Sequence, residues 1–364
     1  MYSVESKTEP GRLVSVVMSV YNGERFLREA VDSILSQSFR EFEFVVIDDG
    51  STDGSAGILD AYRDRDSRLR VFHRENRGLI ESLNYGCTLA AGKYIARMDA
   101  DDIAVRDRLE RQIDFLEAHP EVAVLGGAVE FMDASGKTLA TTQYPADDRE
   151  IQRRLLHECP IQHPAVMMRR DVVKSVGGYR HALTDAEDYD LWMRIGEQTQ
   201  LANLEQVVLR YRIHVGQVSL KKRRQQTLGF LAAQAAAEAR RRGDPDLMDS
   251  FAAVTPAVLT KMGVSEAVQQ TTLVRHHLGW IRSMVRVKEY AAALDTAKEM
   301  LSSSDWRQAE KWALADVLLE VSRLYWRKGN FLRSLMCLGR AIKTRPVVIG
   351  RPFRALLRLS THLS

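Results

Sequence analysis

Between residues 13 and 99, runs of apolar residues alternate with segments in which apolar positions recur once per helical turn. The apolar runs predict strands, which fall at 13–21, 42–48, 69–74 and 93–99. The segments with helical period predict helices, which fall at 23–37, 54–64 and about 78–91. Strands that alternate with helices in this way are typical of an α/β fold, in which helices cover a mostly parallel sheet.

Polar side chains collect where the predicted strands end. Tyr21 follows the first strand, Asp48 and Asp49 close the second, and a group of carboxylates at 99–102 follows the fourth. Ligands of open α/β sheets bind beyond the carboxyl ends of the strands. We therefore expect the functional site at this edge of the sheet.

The segment IARMDADDIAVRDR, residues 95–108, places Asp99, Asp101 and Asp102 within four positions. Carboxylates gathered at the end of a buried strand are costly unless a cation neutralises them. Their hard oxygen atoms suit Mg²⁺ or Mn²⁺, which keep positions free for the phosphates of a nucleotide. Alternatively, the cluster only caps the helix that follows, since Asp is common at helix starts.

Beyond residue 220 the pattern becomes almost entirely helical. Residues 226–242 are rich in Ala and stop at Gly-Asp-Pro. Residues 324–346 weakly resemble the second half of a tetratricopeptide repeat, and residues 279–301 do so more faintly. Two such repeats are fewer than a free-standing solenoid needs, so we expect them to pack on the preceding domain or on another copy of the chain. A helical pair that only buries the domain's flank and one that binds a partner are equal alternatives.

Composition is that of an ordinary globular chain and argues against several classes of protein. Of 364 residues, 45% are hydrophobic and 27% are charged, unlike a disordered or fibrous protein. Apolar runs fall short of the roughly 18 residues needed to cross a bilayer, and the N-terminus lacks the apolar core of a signal peptide, so we expect a cytoplasmic protein. The three cysteines lie far apart without metal-ligand spacing, which argues against a disulfide framework and a zinc site.

The net charge of +4 conceals two oppositely charged parts. Residues 221–364 contain 25 Lys and Arg against 12 Asp and Glu, whereas the preceding residues contain 27 against 36. A basic region can contact nucleic acid, anionic lipid or an acidic neighbour, and the count does not separate these partners. The last segment, 347–364, spaces arginines among apolar residues, which predicts either an interfacial helix on an anionic bilayer or a helix of the core.

Six segments occur in an order that resembles the family 2 glycosyltransferases. They are VSVVMSVYNGERFLREAVDSILSQSF, VVIDDGSTDGS, ENRGLIESLNYGCTLAAGKYIARMDADD, HPAVMMRRDVVKSVGGYR, EDYDLWMRI and YRIHVGQVS. Several spaced motifs in order are far more specific than any one of them. The resemblance implies the GT-A fold, a mostly parallel sheet flanked by helices. We accordingly expect a flexible N-terminus at 1–12, a GT-A domain at 13–220 and a basic α-helical region at 221–364.

The resemblance implies a nucleotide-sugar donor and the residues that bind it. Ser19, Tyr21 and Asp49 match the positions that receive the nucleotide base. A carboxylate in this place can accept a hydrogen bond from the N3–H of uracil, which favours UDP. Arg97 and Arg77 are expected either to approach the diphosphate or to serve as ion-pair partners of the acidic cluster.

The resemblance also implies a divalent metal, Mn²⁺ or Mg²⁺. The segment from Asp99 to Asp101 matches the family's DxD motif, with Asp99 towards the ribose and Asp101 towards the metal. Asp102 follows the motif and caps the helix or supports the site. His214 matches a late histidine near the diphosphate, which ligates the metal or donates to phosphate, the alternative being a structural surface histidine.

An inverting transferase needs a base, because a sugar hydroxyl is a poor nucleophile near neutral pH. The segment TDAEDYDLWMRI offers Glu187, Asp188 and Asp190 ahead of an apolar helix face. Asp188 matches the base in the family's ED motif, and Glu187 is then expected to orient the acceptor hydroxyls. Asp190 is expected to be no more than a residue of the first helical turn.

The function that the resemblance implies is a metal-dependent, inverting transfer of a hexose or N-acetylhexosamine from a UDP-sugar to a glycan or lipid-linked oligosaccharide, in bacterial surface-polysaccharide assembly. Such an acceptor would bring the protein to the inner face of the cell membrane. We expect no nucleic-acid partner, and a homo-oligomer or a protein partner only through the helical region. One alternative is a non-catalytic scaffold on a degenerate transferase fold, against which the intact carboxylates argue. Another is a nucleotidyltransferase, for which the sequence lacks a Gly-rich, basic loop near the first strand.

Overall fold

The computed structural model of the chain describes residues 13–214, 223–286, 289–303 and 306–349. These residues fall into two compact units. The first unit consists of residues 13–214 with 237–253, and the second consists of residues 223–236 with 254–349. The predicted N-terminal segment 1–12 and most of the arginine-containing segment 347–364 lie outside the described residues.

In the described part of the first unit, nine strands form a single sheet. They are β1 (Val14–Val20), β2 (Phe42–Asp48), β3 (Leu69–His73), β4 (Tyr94–Asp99), β5 (Ile103–Ala104), β6 (Val122–Met132), β7 (Thr138–Thr142), β8 (Met167–Arg169) and β9 (Gln200–Arg212). The strand order is β3-β2-β1-β4-β8-β6-β9-β5, and β7 pairs with β6 beside this path.

The sheet is parallel in its first half and mixed in its second. Strands β3, β2, β1 and β4 run parallel, as the alternation of strands and helices predicts. Strand β8 pairs antiparallel with β4 and β6, whereas β6 and β9 run parallel. A tight turn with Gly136 at a φ of +84° joins β6 to β7, and so short a connection permits only antiparallel pairing. The expected mostly parallel sheet is therefore a mixed sheet beyond its first four strands.

The register of the parallel strands places their carboxyl ends side by side. Ser19 on β1 lies opposite Asp99 on β4 and Ile47 on β2. Asp48, at the end of β2, lies opposite Val20 and His73. The polar residues that follow β1, β2 and β4 therefore share one edge of the sheet.

Seven α-helices in the described part of the first unit connect these strands. They are α1 (Glu24–Leu35), α2 (Ser55–Arg63), α3 (Leu79–Leu89), α4 (Arg108–Ala118), α5 (Asp148–Leu155), α6 (Arg170–Ser175) and α7 (Glu187–Gly196). Helix α1 buries most of the apolar face that its sequence period predicts, from Phe26 to Ile34. This face packs on β1, whose alternate residues Val16 and Met18 belong to the same core.

A buried carboxylate lies within β2, between apolar neighbours. One oxygen of Glu43 accepts from the Ser15 hydroxyl at 2.6 Å and from the Ala91 N–H at 2.7 Å. Its other oxygen accepts from the Arg70 guanidinium at 2.5 Å. Burial raises the pKa of Glu43, but these hydrogen bonds outweigh burial and leave its pKa below the usual value. The carboxylate therefore ties β1, β2, β3 and the segment before β4 together as an anion.

The long helix α8 (Arg223–Arg242) contributes to both units, which the predicted boundary at 220 did not anticipate. Residues 237–253 belong to the first unit, not to the helical region. The physical reason is a set of ion pairs: Arg240 contacts Glu197 at 2.7 Å, and Asp246 accepts from Arg180 at 2.9 Å.

The second unit is helical throughout its described residues. Beyond α8 its α-helices are α9 (Pro256–Lys261), α10 (Glu266–Arg286), α11 (Tyr290–Ser302), α12 (Lys311–Arg327) and α13 (Phe331–Thr344). Helix α10 packs on α11, and α12 packs on α13, at the two segments that weakly resemble tetratricopeptide repeats. Gly329, at a φ of +72°, turns the chain between α12 and α13. None of the described helices is long and apolar enough to span a membrane.

Candidate functional site

The three carboxylates of the DADD segment gather where β4 ends. Ligand oxygens of Asp99, Asp101 and Asp102 all lie within 4.8 Å of one another. The chain continues into the short strand β5, and α4 begins only at Arg108, with Asp107 in its N-cap position. The alternative that the cluster caps the following helix is therefore wrong, because its residues lie too early in the chain.

Asp102 is fully buried, and among the described residues only one of its two carboxylate oxygens has a hydrogen-bond partner. Its Oδ1 accepts from the backbone N–H of Arg212 at 2.8 Å, whereas its Oδ2 has no hydrogen-bond partner among the described residues. Burial raises the pKa of Asp102 well above its usual range, and the charges of Asp101 and Asp99 raise it further. Such a group is costly, so a cation beside it would stabilise the cluster.

His214 lies against this cluster. Its Nε2 is 2.9 Å from Oδ2 of Asp101, and its ring centroid is 4.9 Å from that of Phe26 on α1. The rest of its sequence motif, residues 215–219, lies outside the described residues. Carboxylate oxygens are ligands that suit Mn²⁺ and Mg²⁺, so the carboxylates present beside this imidazole fit a divalent ion.

Arg212, which the sequence analysis missed, fixes the position of the cluster. Its guanidinium donates to the carbonyl of Asp101 at 2.8 Å and to the Glu29 carboxylate at 2.9 Å. The same guanidinium lies 4.4 Å from the ring centroid of Phe26. Together with the bond from its backbone N–H, these contacts tie the carboxylates to α1 and β9. Its sequence signal is its place at the end of β9, two positions before the histidine.

Arg97 is buried beside Asp99. Its Nη1 lies 2.5 Å from Oδ2 of Asp99, and only 4% of the side chain is exposed. Burial lowers the pKa of Arg97, but the charge of Asp99 outweighs burial and holds it above the usual value. This geometry matches the ion-pair alternative, while contact with a donor stays a prediction. Arg77, by contrast, is exposed just before α3.

The loop after β1 is held to the loop after β2. Asn22, at a φ of +53°, accepts from the N–H of Thr52 at 2.7 Å, and its own N–H donates to the Ser51 hydroxyl at 3.0 Å. These bonds leave the ring of Tyr21 exposed, where it could stack on a base. Ser19, two residues earlier, is partly buried in β1.

Asp49 shapes the loop that leads into α3. Its two carboxylate oxygens accept from the backbone N–H groups of Arg77 at 3.0 Å and Gly78 at 2.8 Å. The adjacent Gly50 has a φ of +76°, and a Cβ there would lie 2.7 Å from the backbone N of Asn76. Only glycine fits this close approach. The contact of Asp49 with uracil stays a prediction, since the structure shows its oxygens engaged with the loop.

Glu187 and Asp188 form the first turn of α7. Burial raises the pKa of Glu187 to about 8, with the Asp188 charge as a further cause. Burial also raises the pKa of Asp188, which the Arg97 charge lowers and the Asp99 charge raises. The structure therefore brings the acidic pair and the acidic cluster within electrostatic reach of each other, although almost ninety residues separate them in the chain.

Asp190 belongs to a buried ion pair with Arg194. It is fully buried, and its Oδ2 accepts from the Arg194 guanidinium at 2.8 Å, one helical turn away. Arg194 in turn donates to the carbonyl groups of Val176 at 2.6 Å and Gly178 at 2.7 Å. Asp190 thus fastens α7 to the loop that precedes it.

A buried tyrosine and histidine lie beside the acidic pair. The Tyr179 hydroxyl is 2.9 Å from Nε2 of His163. Burial raises the pKa of Tyr179 well above its usual range, and the charges of Glu187 and Asp188 contribute, which places the phenol near both carboxylates. Burial lowers the pKa of His163 well below its usual value, so this imidazole is neutral. The sequence analysis did not single out Tyr179, which follows Gly177 and Gly178, two glycines with positive φ.

Comparison with known proteins agrees with this arrangement. Residues 15–177 match the model of Glycosyl transferase family 2. AmsE of Erwinia amylovora, an amylovoran biosynthesis glycosyltransferase, is 35% identical over 219 residues, which are 58% of this chain and 80% of AmsE. WbnJ of Escherichia coli, an O-antigen biosynthesis glycosyltransferase, is 31% identical over 206 residues, which are 56% of this chain and 80% of WbnJ.

Solved structures share the architecture. TarS 1–349 of S. aureus, in complex with UDP-GlcNAc, matches with a TM-score of 0.54 and 17% identity, over 90% of this chain and 90% of that chain. At this identity the likeness concerns the fold alone, a GT-A sheet followed by helices. The sequence relatives, the matched family model and the shared fold agree: the chain belongs to glycosyl transferase family 2 and has the GT-A fold.

Proposed function

We propose that the chain is a metal-dependent, inverting glycosyltransferase that moves a hexose or an N-acetylhexosamine from a UDP-sugar to a glycan or a lipid-linked oligosaccharide. The observation that carries this proposal is the gathering of Asp99, Asp101 and Asp102 within 4.8 Å of one another at the end of β4, with Asp188 near enough for the charges of Asp99 and Arg97 to act on its pKa. One site thus combines cation-binding carboxylates with a candidate base. The relatives AmsE and WbnJ are named for polysaccharide biosynthesis, which supports a role in surface-polysaccharide assembly.

The donor would lie along the carboxyl edge of β1, β2 and β4. Tyr21 offers an exposed ring to the base, and Ser19 and Asp99 lie opposite each other in the sheet register below it. Asp49 would contact uracil directly or hold the loop at 77–78 in place for it. TarS, which has the same fold, is solved with UDP-GlcNAc bound.

A divalent ion, Mn²⁺ or Mg²⁺, would be held by Asp101 and His214, whose facing atoms are 2.9 Å apart. The fit rests on hard donors and on the unpartnered, buried oxygen of Asp102. When bound, such an ion neutralises the charge of the diphosphate leaving group. The chain would keep the ligand atoms of the ion in fixed positions, and the contacts of Arg212 with Asp101 and Asp102 serve this purpose.

Asp188 would act as the general base. A carboxylate whose pKa is raised above its usual value is a stronger base and takes a proton more readily in the transition state. Burial supplies this shift, and the nearby Arg97 charge limits it. A single base suffices for inversion, because the acceptor hydroxyl attacks the sugar carbon directly.

Glu187 would orient the acceptor. With a pKa of about 8, its carboxyl group is protonated at neutral pH and can donate a hydrogen bond as well as accept one. Its Oε2 is buried and has no hydrogen-bond partner among the described residues. A sugar hydroxyl would supply the missing partner.

A thermal-shift screen of nucleotide sugars with and without Mn²⁺ tests this function. A ligand that binds only the folded chain raises the unfolding temperature by mass action, so one donor should stabilise the protein when Mn²⁺ is present. That donor should also be hydrolysed slowly, with Mn²⁺-dependent release of UDP. A chain that binds no nucleotide sugar under either condition would instead favour the alternative of a non-catalytic scaffold.

A lipid-linked acceptor would place the enzyme at the inner face of the cell membrane. The sequence of residues 347–364, with three arginines among apolar residues, supports a peripheral contact with anionic lipid. Most of this segment lies outside the described residues. A homo-oligomer or a protein partner through the helical region would be compatible with the same reaction.

A further inference from the structure

Helix α13 packs on its neighbour through one side and exposes four large apolar side chains on the other. Its buried residues are Ser334 and Ala341. The Ser334 hydroxyl lies 3.0 Å from that of Ser322 on α12 and donates to the Ser322 carbonyl at 2.8 Å. Leu338 and Ile342 complete this contact with α12, whereas among the described residues the large apolar side chains on the other side of the helix are exposed.

This outer face is formed by Phe331, Leu332, Leu335 and Met336, with Trp326 from the end of α12 beside them. Leu332, Leu335 and Met336 are spaced three and four positions apart and expose 73%, 58% and 61% of their surface. The Trp326 and Phe331 rings meet edge to face, with their centroids 4.8 Å apart. Large exposed hydrophobic residues elsewhere in the described chain are scattered, so this contiguous patch marks an interaction surface.

The charge around the outer face has one sign. Over residues 321–349, which the structure describes, the chain contains seven Lys and Arg and no Asp or Glu. Arg340 and Lys343 continue the stripe of Leu332 and Met336 at helical spacing, and both are exposed. Among the described residues, no ion pair joins Arg333, Arg340 or Lys343 to a carboxylate. The cations are therefore available to an anionic partner.

A cationic cavity lies at the far end of the same helix. It has a volume of about 310 Å³, and its lining includes Lys343 at the end of α13, Lys311 at the start of α12 and Arg307 in the turn before α12. The apolar stripe thus leads into a region that attracts phosphate or carboxylate groups.

We propose that the outer face of α13 docks on an anionic lipid bilayer, with the apolar residues at the acyl boundary and Arg333, Arg340 and Lys343 at the headgroups. Flexible Leu and Met side chains beside cations are typical of helices that lie in a membrane interface. A second copy of the chain would bring like charges together, so charge complementarity favours lipid over self-association. This docking is independent of the proposed reaction, because it involves no residue of the candidate active site.

Sedimentation of the full chain with vesicles tests the docking. Wild type should bind vesicles of phosphatidylcholine with phosphatidylglycerol and bind poorly to phosphatidylcholine alone. Leu332→Glu with Met336→Glu should lower the bound fraction about tenfold or more, because two charges would enter the acyl boundary. Arg340→Gln with Lys343→Gln should weaken binding by about fivefold per charge, and this milder pair serves if the first does not fold. Val268→Glu, at an exposed apolar position on α10, is the control and should bind as wild type does.

Three results would overturn the proposal. The first is wild-type protein that binds neither kind of vesicle. The second is a pair of double variants that both bind anionic vesicles as wild type does. The third is a wild-type dimer, measured by analytical ultracentrifugation without lipid, that Leu332→Glu with Met336→Glu converts to monomer, since the face would then be an interface between copies.

Discussion

Glu187 and Asp188 are adjacent in the chain, yet the fold gives them different surroundings. Glu187 is almost fully buried and its pKa is raised to about 8, whereas Asp188 is partly exposed, and the Arg97 charge lowers the pKa of both. Two neighbouring acids in unlike surroundings can divide the work of base and hydrogen-bond donor. Both side chains end in a carboxyl group. Replacing each by its amide keeps the shape of the side chain and removes its charge, so these substitutions can separate the two proposed roles.

Asp188→Asn should leave donor binding intact and lower turnover by roughly 10²–10⁴-fold, the usual contribution of a general base. The amide keeps the shape of the carboxylate but cannot take the acceptor's proton. Glu187→Gln is the contrasting variant and should act mostly on the KM for the acceptor, because a residue that only orients the acceptor serves ground state and transition state alike. Steady-state kinetics at saturating acceptor decide between them. Near-wild-type turnover of Asp188→Asn would move the search for the base to Glu187.

The raised pKa of Glu187 predicts a pH dependence of stability. Since the folded-state pKa of about 8 exceeds the ordinary value of 4.5, the unfolded chain loses this proton first, and stability should fall as pH rises between these values. The slope from this one group is at most about 1.4 kcal/mol per pH unit. Urea unfolding of wild type and Glu187→Gln at pH 5 and pH 8 measures it. The variant should gain stability relative to wild type at the higher pH, and an equal difference at both would contradict the assignment.

The sequence predicted functional residues that belong to a recognised motif. It did not predict residues that reach the site only through contacts formed in the folded chain. The DxD carboxylates, His214 and the ED pair were expected, and the structure places Asp101 beside His214. Arg212 and Tyr179 were not expected, because their partners lie on distant segments that periodicity cannot connect. The sequence also left open whether Asp102 caps a helix, because it did not predict the short strand β5 that separates Asp102 from α4.

Among the elements, β2 shows how a polar residue can stabilise an apolar strand. Glu43 interrupts the run FEFVVID, yet it is fully buried and binds Ser15, Ala91 and Arg70. A strand of parallel neighbours is expected to be apolar on both faces, so a sequence pattern gives no reason for this residue. Its partners come from β1, β3 and the segment before β4. Glu43 therefore holds together the parallel half of the sheet, at whose carboxyl edge we expect the donor to bind.

Glu43→Gln should destabilise the first unit by roughly 1.5–3 kcal/mol, the value of hydrogen bonds to a charged group. Because the folded-state pKa of Glu43 is lowered, its stabilisation is present above the ordinary carboxyl pKa and is lost as pH falls through the folded value. The deficit of the variant should therefore be larger at pH 7 than in acid, as chemical denaturation would show. Glu41→Gln, at an exposed neighbouring position, is the control. A deficit that does not change with pH would contradict an ionised Glu43.

The elements themselves were largely predictable, and their pairing was not. Periodicity predicted the strands and helices from β1 to β4, because each is amphipathic or apolar along a single segment. The antiparallel insertion of β8 between β4 and β6 depends on contacts across the chain, as does the return of residues 237–253 to the first unit. Ion pairs such as that of Arg240 with Glu197 decide the latter, and no local pattern reports them.

Over the whole molecule, chemistry and charge are distributed unevenly. The first part of the chain is acidic and holds the candidate site, whereas residues 221–364 are basic and present the outer face of α13. Such a division suits an enzyme that handles an anionic donor with the help of a cation and meets its acceptor at an anionic surface. The reaction and the docking can be tested separately, since they use different residues.

The central claim is that the acidic cluster binds a nucleotide through a divalent ion, and calorimetric titration of UDP tests it most directly. Wild type and Asp188→Asn should bind UDP with Mn²⁺ and lose that binding in EDTA. Asp101→Ala should not bind UDP with Mn²⁺ and should keep its fold, because the carboxylate lies at a strand end outside the core. Asp107→Ala, which removes a nearby carboxylate paired with Arg111, should bind as wild type does. Unchanged UDP affinity in Asp101→Ala, or equal affinity with Mn²⁺ and EDTA in wild type, would contradict the account.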